Sequence, residues 1–276
     1  MYNSAKIFLE KTNNINPDIA VILGSGLTNF FEDKNIISSI SYEDLPDFPK
    51  PTVKGHAGKL VLGKISEMNI VCMYGRSHIY EGHEPQSLAK PIRVLKDIGC
   101  KLLIVTNAAG SLDQNMPAGS LMAITDHINW SGFNPLIGIN ADAYGPRFND
   151  MSDGYHKKYR DQLIKTANKI NQKVYEGIYC MYSGPNFETP AEINALKVIG
   201  GNAVGMSTIP EVLVANHCGL PVIAISVITN LAAGMNKTKL SHQETLENAA
   251  LAENNIINLI KNFIHDVKLD DSSGNN

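Results

Sequence analysis

Cysteine, aromatic side chains and an excess of either charge are all scarce in this chain of 276 residues. Its four cysteines, Cys72, Cys100, Cys180 and Cys218, lie far apart, with no CxxC pair and no Cys/His ligand spacing. That excludes a disulfide framework and a structural zinc site. Each cysteine sits in an apolar stretch, where it acts as a small hydrophobe. Lys and Arg number 24 against 27 Asp and Glu, a net charge of −3, and no basic stripe stands out. Nucleic acid is therefore disfavoured as the main partner. No apolar run approaches the roughly 18 residues of a membrane span. The opening Met1-Tyr2-Asn3-Ser4-Ala5-Lys6 runs into mixed polar sequence rather than a signal-peptide core, so a cytoplasmic protein is expected. Charged residues are 18% and hydrophobic ones 43%, a balance that suits a folded core. Without an internal repeat or a linker, residues 1–276 are expected to form a single domain, with a disordered tail over 268–276.

What the chain does have is a succession of short β-branched runs, many ending in Gly, Ser, Thr or Asn. They are Ile19–Leu23, Lys59–Leu62, Ile70–Tyr74, Leu102–Thr106, Leu121–Thr125, Gly177–Tyr182, Asn202–Met206 and Val222–Thr229. Several are almost wholly apolar, as strands covered on both faces are. Helical spacing predicts helices over Pro85–Ile98, Gly154–Ile170, Pro190–Ile199, Pro210–Cys218 and Ser241–Ile264. Start signals stand at Thr189-Pro190-Ala191-Glu192, Thr208-Ile209-Pro210-Glu211 and Ser241-His242-Gln243-Glu244. Strands alternating with helices make this an α/β protein with a largely parallel sheet. Three strand-like runs between residues 19 and 75, with no helix among them, make that sheet mixed.

Polar residues gather where strands end, which is where open α/β sheets bind ligands. Gly24-Ser25-Gly26 opens like a dinucleotide fingerprint but lacks its third glycine, having Asn29 there. It reads as a tight turn whose N–H groups and Ser25 hydroxyl could cradle an anion. Tyr74-Gly75-Arg76-Ser77-His78-Ile79-Tyr80 sets Arg76, His78 and Tyr80 on alternate positions, all facing one way if extended. Arginine's fork of donors suits phosphate. Thr106-Asn107-Ala108-Ala109-Gly110 lets a ligand approach the backbone closely. Glu188 stands just before a helix start, either as a dipole-stabilised carboxylate or as one held against a ligand. Ser207 also precedes a helix, where hydroxyl and free N–H groups make an anion site. Asn230 ends the most apolar strand, where an amide needs partners or a ligand. His242 alone reads as an exposed first-turn histidine. Each segment also has a plain structural reading as a turn or a cap.

Their order and spacing resemble purine nucleoside phosphorylase, of the trimeric type specific for 6-oxopurines. The resemblance runs from about Ile19 to Ile264. It is carried by Val21-Ile22-Leu23-Gly24-Ser25-Gly26, Gly55-His56-Ala57-Gly58, Tyr74-Gly75-Arg76-Ser77-His78, Thr106-Asn107-Ala108-Ala109-Gly110, Gly184-Pro185-Asn186-Phe187-Glu188-Thr189, Val204-Gly205-Met206-Ser207 and Ile228-Thr229-Asn230. It implies a central mixed sheet partly closed into a distorted barrel and flanked by helices. It also implies a phosphate site of Ser25, His56, Arg76, His78, the Ala108 backbone and Ser207. Tyr80, Met206 and His242 would hold the ribose. Glu188 and Asn230 would hold the purine, with Ala109, Gly110, Tyr179, Phe187 and Val204 around it. Glu188, Asn230 and His78 carry the catalytic expectation. Phe148 matches a phenylalanine that this family inserts into a neighbouring subunit's site, so a homotrimer or a dimer of trimers is expected.

Two departures from the vertebrate pattern mark a bacterial branch. Leu231 follows Asn230 where the vertebrate form has lysine, and Tyr182 resembles the tyrosine of the branch that also accepts xanthosine. The expected reaction is phosphorolysis of purine nucleosides, with inorganic phosphate as co-substrate and neither metal nor cofactor. A methylthioadenosine phosphorylase would carry aspartate in place of Asn230 and would lack Glu188 and His242. A nucleotide-binding dehydrogenase fails on the missing glycine. A non-catalytic purine sensor leaves Arg76, His78 and Ser207 unexplained.

Overall fold

The computed structural model describes residues 1–24, 27, 29–53, 56–235 and 242–270. It opens with a helix that the sequence pattern does not announce, α1 (Asn3–Lys11), and continues through β1 (Ile19–Leu23), β2 (Ile36–Ser41), β3 (Lys59–Ile65) and β4 (Met68–Tyr74). Then come α2 (Pro85–Asp97), β5 (Leu102–Ser111), β6 (Leu121–Asn129), α3 (Lys157–Lys169), β7 (Val174–Met181) and α4 (Pro190–Val198). β8 (Ala203–Gly205), α5 (Ile209–His217), β9 (Val222–Leu231) and α6 (His242–Asp266) complete the chain. β2 is the strand that the sequence reading lacked. It lies at the sheet edge, and of its residues only Ile40 is buried.

The strands join in the order β2-β3-β4-β1-β5-β8-β7-β6-β9, and β9 returns to pair with β5. That last pairing closes β5, β8, β7, β6 and β9 into a ring, the expected distorted barrel. β4, β1, β5 and β9 run parallel to their neighbours in that series, so their C-terminal ends lie together. β2/β3, β3/β4, β5/β8 and β6/β9 are antiparallel, which makes the sheet mixed.

Alternation along each strand sorts the core into two layers. Ala20 and Ile22 of β1, with Leu103 and Val105 of β5, pack toward residues of α1, α2 and α5, among them Phe8, Leu95 and Val212. Ile19, Val21 and Leu23, with Leu102 and Ile104, pack toward α3 and α6 through Tyr159, Leu163, Ile256 and Phe263. Both faces are covered, which is why these strands read as unbroken apolar runs. Truncating a fully buried anchor such as Phe263 would cost about 3–5 kcal/mol.

Two start signals had different fates. Thr189 forms the expected capping box on α4: the Glu192 N–H donates to Thr189 Oγ1 at 3.2 Å, and the Thr189 N–H to Glu192 Oε2 at 2.7 Å. Thr208 does not cap α5. Its φ is 78°, its side chain caps no N–H, and Glu211 turns to an arginine instead. Ser241, the cap expected for α6, lies outside the described residues. The tail expected to be disordered is packed as far as residue 270. Leu269 rests on the α3–α6 layer, the Asp270 N–H donates to the Tyr159 hydroxyl at 3.0 Å, and the Asp270 carboxylate pairs with Lys158. An apolar residue followed by an anion finds both a greasy groove and a cation on α3.

Candidate active site

The shared C-terminal ends of β4, β5 and β9 open on a cavity of about 320 Å³. Its lining brings together Arg76, His78, Tyr80, Ala108, Ala109, Gly110, Phe187, Glu188, Val204, Met206, Ser207 and Asn230. These residues span more than half the chain, and the strand order is what gathers them. Ser25 lies outside the described residues, as does the His242 side chain. Thr245, in the first turn of α6, is on the cavity wall.

Arg76 is 4% exposed. Its guanidinium donates to the Thr106 carbonyl at 2.6 Å and to Glu211 Oε1 at 3.3 Å. The chain reaches it through Gly75, whose φ of 100° and packing both exclude a side chain: a Cβ there would sit 2.6 Å from His56 Cβ. His56 stands behind Arg76, off the wall of the large cavity, and its Nδ1 accepts from the Arg76 N–H at 3.0 Å. Burial pushes His56 down to about 4, with neighbouring His78 adding to the effect. The His56 and His78 ring centres are 5.2 Å apart, and His78 stacks on Tyr80 at 4.8 Å.

His78 is also held low by burial, opposed by a hydrogen bond from its ring to Glu81 Oε1 at 3.0 Å. Burial would raise Glu81, but donors from His78 and Thr52 bring it to about 2. That carboxylate fixes both the backbone and the ring of His78. Burial raises Tyr80 to about 12, so its hydroxyl stays protonated.

Elsewhere on the wall, Glu188 is 6% exposed and precedes the Thr189 cap of α4. Burial raises its carboxyl above the ordinary range. Asn230 is 7% exposed and owes its aim to an irregularity in β9. Ala109 pairs with Ile228, but Gly110 pairs with Asn230, so Thr229 is an extra residue. Bulges of this kind re-aim side chains beside active sites. The Asn230 amide donates to Thr229 Oγ1 at 3.1 Å, and a Cβ on Gly110 would lie 2.9 Å from Asn230 Oδ1.

Ser207 sits at the start of α5, beside Thr208. Its N–H donates to the Tyr179 hydroxyl at 3.3 Å. Tyr179 therefore lies beneath Gly205 as a buttress rather than on the cavity wall, which corrects its expected place around the base. Tyr182 is also absent from that wall: its hydroxyl donates to Glu192 Oε1 at 3.3 Å and accepts from Asn186 at 3.3 Å. The strand carries it toward α4, past the cavity. Phe148 is 90% exposed, far from a packed position.

Val53, Pro185, Gly205, Thr229, Ala232 and Thr245 complete the wall and were not given site roles from sequence. Only Thr245 had a signal, being three residues from His242 on one helix. No helix among the described residues is long and apolar enough to cross a membrane.

Comparison with known proteins bears on this geometry. Residues 18–265 match the model of the phosphorylase superfamily. The chain is 44% identical over 260 residues to purine nucleoside phosphorylase 1 of Bacillus subtilis, covering 94% of this chain and 96% of that one. It is similar to isoform 2 of the Schistosoma mansoni purine nucleoside phosphorylase in complex with cytosine and ribose-1-phosphate, with a TM-score of 0.91 and 38% identity over 97% and 96% of the two chains. A structure of purine nucleoside phosphorylase from the same organism, in complex with adenosine, gives a TM-score of 0.89 and 36% identity over 97% and 96%.

Proposed function

The chain belongs to the purine nucleoside phosphorylase family of the phosphorylase superfamily, and from that premise we propose that it performs reversible phosphorolysis of 6-oxopurine (deoxy)ribonucleosides. Inosine, guanosine and xanthosine are the proposed substrates. A free purine base and (deoxy)ribose 1-phosphate are the products. Inorganic phosphate is the co-substrate, and no metal or cofactor enters the reaction. The observation that carries this reading is one cavity with Arg76, His78 and Ser207 along with Glu188 and Asn230 on its wall.

In this reading the phosphate is held by Ser25, Arg76, His78, the Ala108 backbone and Ser207, with His56 supporting Arg76. A phosphate oxygen attacks C1′ as the glycosidic bond breaks through an oxocarbenium-like state. The dianion beside the cationic sugar supplies the opposing charge. Tyr80, Met206 and His242 hold the ribose, and a neighbour's Phe148 covers it in a homotrimer or a dimer of trimers. The purine leaves with negative charge growing at N7 and O6. Asn230 accepts from a protonated N7 through its carbonyl and donates to O6 through its amide. Glu188 accepts from N1–H and from a 2-amino group. Preorganised partners of this kind are worth about 10²–10³ in rate each. The proposed setting is the cytoplasm.

The test is to measure rates on inosine, guanosine, xanthosine and adenosine, with and without phosphate, and to identify the sugar product. Turnover should require phosphate and release ribose 1-phosphate. Adenosine offers a donor at C6 and no N1 proton, so its turnover should fall by about 10⁴–10⁵ relative to inosine. Adenosine is present in a relative's structure, so the rate and not binding is the discriminating measurement. Equal cleavage of inosine in phosphate-free buffer would make the protein a hydrolase. Adenosine turnover within about tenfold of inosine would remove the 6-oxopurine selectivity.

A further inference from the structure

Two atoms near the floor of the cavity have no hydrogen-bond partner despite full burial: Arg76 Nε and Glu211 Oε2. They belong to one ion pair, joined through Arg76 Nη1 and Glu211 Oε1 at 3.3 Å. Glu211 does not line the large cavity. It faces a much smaller space of about 30 Å³ next to it, which Arg76 also lines. Arg76 thus stands between the cavity and a buried carboxylate.

We propose that Glu211 is the positioning residue for Arg76, and that its charge limits how tightly the site holds a phosphate-type anion. The inference rests on Arg76 being a phosphate ligand in the reading above. Its first part is geometric. Anchors on the two terminal nitrogens, Glu211 Oε1 and the Thr106 carbonyl, fix the plane of the guanidinium. Its Nε–H is left without an acceptor. A buried donor without an acceptor is costly, so the arrangement is completed when an anion or a water arrives.

The second part is electrostatic. A carboxylate 3.3 Å from the guanidinium offsets its charge and repels an incoming dianion at close range. Glu211 therefore holds Arg76 ready and weakens its grip. That suits an anion whose phosphoryl group must later be released with the product. Glu211 also sits in the first turn of α5, which follows Ser207, so one helix positions two of the proposed anion contacts.

The two parts separate in two variants. Glu211→Gln keeps an oxygen acceptor for Nη1 and removes the charge. Glu211→Ala removes both. The experiment measures inorganic phosphate binding by calorimetry, together with the KM of phosphate and of inosine, for the wild type and both variants. Glu211→Gln should bind phosphate about three- to tenfold more tightly and show a lower kcat, because the product's phosphoryl group is also held longer. Glu211→Ala should raise the phosphate KM by about tenfold or more, with the inosine KM within about twofold of wild type. A wild type that uses phosphate while both variants shift its binding the same way, or not at all, overturns the proposal. A wild type that neither binds nor consumes phosphate overturns the phosphorylase reading and this inference together. Should Glu211→Ala fold poorly, Glu211→Gln decides alone: unchanged or weaker phosphate binding overturns the proposal.

Discussion

Asn107 of β5 donates its side-chain amide to Thr208 Oγ1 at 2.8 Å, and Thr208 is where the chain turns into α5 with a φ of 78°. A β-branched residue in that conformation is strained by about 1–3 kcal/mol. The Asn107 amide, and the Ser207 hydroxyl at 3.2 Å from the same oxygen, hold it there. Asn107→Leu should therefore lower unfolding free energy by about 1–3 kcal/mol in urea denaturation. It should also raise the phosphate KM more than the inosine KM, because the turn places Ser207. Unchanged stability would mean that the strain is held elsewhere.

Glu188 should trade stability for activity. Burial raises its pKa, so the folded protein binds that proton more readily than the unfolded chain. Ionised Glu188 thus costs stability at pH 7, and the cost fades as pH falls through its raised pKa toward the ordinary 4.5. Glu188→Gln should melt higher than wild type at pH 7, with the difference shrinking by pH 4, while losing about 10²-fold or more in kcat/KM for inosine. A lower melting temperature at pH 7 would contradict this sign.

His56 works in the opposite sense. Its pKa is about 4 in the folded protein against 6.5 ordinarily, so the unfolded chain takes the proton first. Stability from neutral His56 is present above pH 6.5 and is lost as pH falls through about 4. His78 is lowered as well and adds to the same trend. Thermal melts of His56→Asn between pH 7 and 4 should show a shallower decline than wild type. An identical decline would clear His56 of the effect.

Phe148 should matter only in an assembly. It is 90% exposed on the single chain, an uncommon exposure for so large an apolar ring. Subunits carrying Phe148→Ala and subunits inactivated by Glu188→Gln should each be weak alone. Mixed oligomers should regain activity, because some sites then combine intact halves. No recovery in verified mixed oligomers would place the whole site in one subunit.

Tyr182 is held away from the cavity by two long contacts, both 3.3 Å, to residues at the surface. In the proposed reading the hydroxyl exchanges these long contacts for the O2 of xanthine when xanthosine binds. Tyr182→Phe should then lower xanthosine turnover by about tenfold or more and leave inosine within about twofold. Equal effects on both nucleosides would leave Tyr182 as a brace for Glu192.

The parts of the fold legible in the sequence are those where both faces are buried or where a turn has its own chemistry. β1 and β9 read directly because every other layer of the protein covers them, and α4 because Thr189 and Glu192 satisfy each other locally. β2 escaped because Ser38, Ser39 and Ser41 interrupt it at an edge that needs no apolar pattern. α1 escaped because Ala5 and Phe8 are its only fully buried apolar residues and it has no side-chain cap. In the site, Arg76, Glu188 and Asn230 stood out as polar residues at strand and helix ends. Glu211 did not, because an acid in a helix's first turn already has a local explanation. Only the fold, bringing residues 135 positions apart to 3.3 Å, shows that its partner is Arg76. Tyr179 near the end of β7 and Tyr182 just past it both stand off the cavity wall, one turned to Ser207 and the other to Glu192.

The extra residue in β9 separates two properties that sequence change usually moves together. Opposite Gly110 stands Asn230, where a regular ladder continuing from the Ala109–Ile228 pair would present Thr229. In the proposed reading, which chemical group meets the leaving base can drift by a single substitution at residue 230. The direction in which it is offered cannot, since that is fixed by counting residues along a buried strand. Diversification of this scaffold toward other bases is thus expected to proceed by exchange of the side chain in place, with insertions and deletions confined to the loops.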